Sequence, residues 1–157
     1  MLMTKRVVVA ALGLVWFALT ISIANAESVK IATCGPMKGY SFFYPGPNIP
    51  KDDVGFGEDG ISSAKTTLAI IDDEPDVISG DWGDPTTARA DGASVFVLGE
   101  GKLKDDSIVF VVIYPGMAVE TYTYNGTDNS LMLLQTKYGA LIQKTAMFYS
   151  KCSRSLN

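Results

Sequence analysis

The chain has 157 residues, 47% hydrophobic and 19% charged, with a formal net charge of −4 and no histidine. This is the composition of an ordered domain and carries no disorder signature. The lack of histidine removes Ser-His-Asp and Cys-His catalysis and the commonest metal ligand, and the acidic balance disfavours binding to nucleic acid phosphates.

The first segment, "MLMTKRVVVAALGLVWFALTISIANAES", has a basic start at Lys5 and Arg6 and an uncharged apolar run from Val7 to Ile23. Ala24 and Ala26 then occupy the small-residue positions of an A-x-A cleavage site. The pattern predicts a cleavable signal peptide over 1–26 and a single β-rich domain over 27–157. The apolar run falls short of the ~20 residues of a membrane-spanning helix, so no stable membrane anchor is expected once the signal is removed. The predicted location is periplasmic or secreted.

An exported chain meets an oxidising compartment, where disulfides persist. Residues 27–157 contain two cysteines, Cys34 and Cys152, which allow one pairing. A Cys34–Cys152 disulfide would tie the first strand to the last element. In the chain-entropy model, closing a loop of about a hundred residues is worth ~4.7 kcal/mol. Two cysteines are too few for a four-cysteine zinc site.

Short runs rich in β-branched and aromatic residues follow, separated by turn formers. They are 28–33 (SVKIAT), 40–44 (YSFFY), 65–71 (KTTLAII), 76–80 (DVISG), 93–99 (ASVFVLG), 107–114 (SIVFVVIY) and 118–124 (AVETYTY). The run at 107–114 is almost continuously apolar, as expected of a central strand covered on both faces. "DDEPD" (72–76), "YPGM" (114–117) and "NGTDN" (125–129) read as turns, the second as type II with Gly116 at the positive-φ position. Residues 45–62 and 81–92 are rich in Pro, Gly and Asp and read as long loops.

The last stretch, 130–151, admits two readings. As strands it divides at Gly139 into 130–138 and 142–151; as a helix it places Leu131, Leu134, Tyr138, Leu141, Ile142, Thr145 and Phe148 on one face. Continuity with the preceding strands favours a hairpin. The expected fold is therefore all-β, an antiparallel meander of 8–9 strands forming a small barrel or sandwich, with an α+β fold carrying a C-terminal helix over 130–151 as the alternative. The segments "YPG…ETYTY" and "QTKYG…KC", between Tyr114 and Cys152, resemble a group of short exported bacterial β-proteins. That resemblance implies no function and no site residues.

Charge is unevenly spread. Removing Lys5 and Arg6 with the signal takes the balance from −4 to −6. Between Asp52 and Asp91, eleven acids stand against Lys65 and Arg89, a balance of −9. Such a stretch solvates loops and attracts basic proteins. Within it, Asp81, Trp82, Asp84 and Arg89 form the candidate binding site, since large aromatics concentrate at binding hot spots.

Ser62-Ser63-Ala64-Lys65 fits S-x-x-K but lacks the partner motifs that give it meaning. Acids beside glycine at 52–59 and 81–84 do not follow the calcium-loop pattern. No cofactor, metal or catalytic residue is predicted. The expected function is that of a non-enzymatic binding protein holding a small apolar molecule in a barrel. The alternatives are a module or inhibitor that binds a basic envelope protein through acidic loops and, last, a carboxylate-based hydrolase.

Overall fold

Residues that alternate in polarity along this chain alternate between the two faces of a sheet, and that period of two runs through nearly every element. The computed structural model describes residues 28–80, 85–98 and 107–154. Among them are eleven strands and one 3-10 turn, Lys51–Asp53. The strands are β1 (Ser28–Cys34), β2 (Met37–Phe43), β3 (Gly55–Ile61), β4 (Lys65–Ile71), β5 (Glu74–Gly80) and β6 (Thr86–Thr87), then β7 (Ser94–Leu98), β8 (Ser107–Tyr114), β9 (Ala118–Asn125), β10 (Ser130–Lys137) and β11 (Lys144–Arg154). The fold is all-β and antiparallel, as the sequence leads one to expect.

Nine strands form a continuous path in the order β6-β5-β4-β1-β11-β10-β9-β8-β7, curled into a half-barrel. β11 is the pivot. One edge pairs with β10 along that strand's whole length. The other pairs first with β2, from Lys144 to Tyr149, and then with β1, from Cys152 to Arg154. The N–H of Gly35 donates to the carbonyl of Lys151 (3.2 Å) where the chain passes from β1 to β2. Beyond that point the β2–β3 hairpin diverges from the β1–β4 ladder as a separate wing. At the two ends of the path, β5–β6 and β7 approach without pairing as strands. Arg89 joins them: its Nε donates to the Pro75 carbonyl (2.9 Å) and Nη2 to the Val95 carbonyl (3.2 Å), while Nη1 lies 2.9 Å from Glu74 Oε2.

The concave face is filled. Phe110, Phe148, Leu68, Leu131, Leu133, Val77 and Val112 are fully buried there with Cys34. Burying each large side chain stabilises the fold by roughly 1.5–3 kcal/mol. Cys34 and Cys152 are direct cross-strand partners and are joined in a disulfide.

Residues 130–151 form a hairpin, and the helical alternative is not observed. Leu131, Leu133 and Gln135 point inward while Met132, Leu134 and Thr136 point outward. Strand parity takes Gln135 inside with Leu131 and Leu133. Two other expectations are corrected. Residues 45–62 are not all loop, because 55–61 form β3. Its glycines let it lie close to β2, where a side chain on Gly60 would meet the Met37 carbonyl. The apolar run 107–114 is a strand, but not a central one covered on both faces. It lies next to the edge strand β7, and its outward Ile113 is exposed. No helix among the described residues is long and apolar enough to cross a membrane.

Candidate functional site

An acid whose position in a strand matches that of core residues must be taken inside. On β9, Glu120 shares its face with the buried Ala118, Tyr122 and Tyr124, and only 7% of its surface is accessible. Its direct partner across the ladder, Gln135 of β10, is equally buried at 6%. A buried carboxylate requires donors, and Glu120 has two. The Tyr122 hydroxyl donates to Oε2 (2.6 Å) and Gln135 Nε2 donates to Oε1 (2.5 Å).

Both donors are neutral. No cationic side chain forms an ion pair with Glu120 among the described residues. Among the described residues, the Glu120 carboxyl is therefore hydrogen-bonded by neutral groups and paired with no cation. Its neighbours register this. The Tyr114 phenol is pushed up to about 12 by burial, with further contributions from the charges of Glu120, Asp91 and Asp76. Tyr122 is held well above the ordinary tyrosine value by burial and then by the charge and hydrogen bond of Glu120.

This cluster opens into a cleft of about 330 Å3 between the two arms of the curled sheet. Glu120, Tyr122 and Gln135 line one side. Thr66 of β4, Ser79 of β5 and Thr86 of β6 bring hydroxyls from the other. A smaller hollow of about 230 Å3 also contains Glu120 and Tyr114 in its wall, with Lys137 at its margin. Chemically, the cleft offers a carboxyl group, several hydroxyls that can donate or accept, and a buried amide. Glu120 is the one carboxylate lining it among the described residues.

The predicted site residues fall in different places. Cys34 and Cys152 form the disulfide. Asp81, Trp82 and Asp84 lie outside the described residues. Gly80 and Thr86 line the cleft. Arg89 is half-buried at the barrel seam, with its guanidinium engaged by Glu74, Pro75 and Val95. Glu120 and Gln135 were not singled out from the sequence. The available signal was parity: each is a polar residue on the inward-facing positions of an otherwise apolar strand.

A second polar group sits under the β2–β3 wing. Asp59 accepts from the Ser41 hydroxyl (2.5 Å) and from the Gly60 N–H (2.8 Å), and it pairs with Lys144. Burial acts to raise the Asp59 pKa, but the donors from Lys144, Ser41 and Gly60 outweigh it and hold the carboxyl below its ordinary value. With its charge balanced, this group is a structural brace.

The convex face is apolar. Tyr40, Phe42, Tyr44, Phe56, Leu134 and Met147 line a shallow groove of about 520 Å3 across β3, β2, β11 and β10. Phe42 meets Tyr44 and Phe56 edge to face, with ring centroids 5.1 and 5.0 Å apart. No protein family, curated protein or solved structure matched the chain.

Proposed function

We propose that this protein is an exported, non-enzymatic binding protein, periplasmic or secreted, that holds a small polar ligand bearing a cationic nitrogen in the cleft at Glu120. The observation that carries this reading is the buried carboxylate of Glu120, which accepts from two neutral donors and, among the described residues, is paired with no cation. An ammonium group would supply the missing charge as a charge-assisted hydrogen bond, the stronger kind. Thr66, Ser79 and Thr86 would meet the polar remainder of the ligand. Side chains around Phe110 and Phe148 fill the barrel interior, whereas the cleft at Glu120 is open. The disulfide Cys34–Cys152 and the signal-like first 26 residues support export.

The test is calorimetric titration with phenethylammonium and cadaverine, beside the uncharged 2-phenylethanol. Saturable binding of an ammonium probe, absent for the alcohol and lost in a folded Glu120→Gln variant, supports the reading. Equal heats for wild type and variant would refute it.

A further inference from the structure

The outer edge of β3 is unpaired among the described residues. β5 and β7 face each other across the Arg89 seam, whereas β3 pairs with β2 alone, and its inward charge, Asp59, is taken by Lys144. An edge strand presents unpaired N–H and C=O groups, and proteins commonly protect such edges with lysine, proline or a bulge. The β3 sequence, GFGEDGI, contains neither lysine nor proline, and its register against β2 runs without a bulge from Gly55 to Ile61. The Gly60 N–H donates to Asp59 Oδ1 (2.8 Å), so the open stretch is Gly55–Glu58.

Two side chains stand on the outer face of that stretch. Phe56 is 85% exposed and extends the aromatic row of Phe42 and Tyr44 to the edge of the sheet. Glu58, two residues on, is exposed and makes no ion pair among the described residues. Lys38, diagonal to it on β2, does not bridge to it. The exposed Asp52 and Asp53, just before the strand, add to the negative rim.

We propose that β3 accepts an extended segment of a basic partner protein, which adds a strand at Gly55–Glu58 and sets an apolar side chain against Phe56 and a Lys or Arg against Glu58. Main-chain hydrogen bonds would supply affinity and the alternate side chains selectivity, as in other strand additions. Charge selects this occupant. A second copy paired antiparallel over Gly55–Glu58 would set each Glu58 opposite Gly55 and toward the other copy's Asp52 and Asp53, and like charges brought together in a sheet are destabilising. An anionic lipid surface is repelled by the same carboxylates. This site is separate from the Glu120 cleft and does not depend on it.

The probe is a blocked nine-residue peptide, TVTKTVTKT, whose valines and lysines share one face as a strand. It is compared with TVTETVTET and with the lysine peptide N-methylated along one edge. Binding is followed by fluorescence anisotropy, with hydrogen exchange at 55–58. Saturable binding of the lysine peptide with amide protection at 55–58 is expected. The glutamate peptide should bind roughly fivefold or more weakly, the N-methylated peptide should not bind, and Glu58→Lys should reverse the preference between lysine and glutamate. Undiminished binding of the N-methylated peptide, no protection at 55–58, or no binding by any peptide would overturn the proposal. So would concentration-dependent self-association that protects 55–58 without peptide, which would make the occupant a second copy.

Discussion

Burial and, after it, the charge of Glu120 raise the pKa of the tyrosines around it. Tyr114 is raised to about 12, chiefly by burial and next by Glu120. A tyrosine whose folded pKa exceeds its unfolded value of about 10 stabilises the fold fully below pH 10 and loses that contribution as pH rises through the folded value. Spectrophotometric titration of Glu120→Gln should therefore show Tyr114 ionising at lower pH than in the wild type, and an unchanged midpoint would contradict the electrostatic account. Lys144 is the second residue-scale case. Removing it with Lys144→Ala leaves Asp59 with only the Ser41 and Gly60 donors and should cost about 2 kcal/mol in urea unfolding. Because the Asp59 pKa is lowered in the fold, its contribution is present above the ordinary carboxylate value and is lost as pH falls through the folded value. The variant should show less of this acid-linked loss. From sequence, Glu120 was hidden because strand parity was not applied to polar residues: in "ETYTY" the alternation that buries Tyr122 and Tyr124 also buries the acid. Asp59 was hidden for another reason. Its partners Ser41 and Lys144 are far away in the chain, and only the β2–β3 and β2–β11 ladders bring them together.

At the scale of elements, most strands were legible because their apolar periodicity and turn chemistry agree. The β4–β5 turn places Asp72 and Asp73 at φ 52° and 63°, and Gly116 lies at φ 72° in the β8–β9 turn. Both are positions that Asp or Gly accepts more readily than β-branched residues. β3 escaped because glycine depresses strand propensity, whereas here the glycines admit close packing against β2. The hairpin β10–β11 was ambiguous because Leu, Met, Gln and Lys also suit helices, and pairing on both edges of β11 settles the matter. The disulfide joins β1 to β11. Replacing both cysteines with alanine should lower stability by roughly 2–5 kcal/mol, read as a shift of the denaturant midpoint with the slope unchanged. A midpoint within error of the wild type would mean that the strand pairing around Ala32–Cys34 holds that junction without it.

For the whole molecule, the decisive relation is between a concave face that is filled and a cleft that is not. The sequence pointed to a small barrel or sandwich, but not to where its interior would be closed. That depends on large side chains such as Phe110 of β8 and Phe148 of β11 being brought into one core, from strands that are not neighbours in the sheet order. It also depends on the seam at Arg89, whose partners Glu74, Pro75 and Val95 come from both ends of the path. The cleft at Glu120 is open, and there a buried carboxyl has no cationic partner among the described residues. Native mass spectrometry of the wild type and Glu120→Gln, purified side by side from the protein's own host, is the most direct measurement. The account predicts a small non-covalent adduct on the wild type that dissociates on denaturation and is missing from the folded variant. The same adduct on both proteins, or bare protein in each, would contradict it.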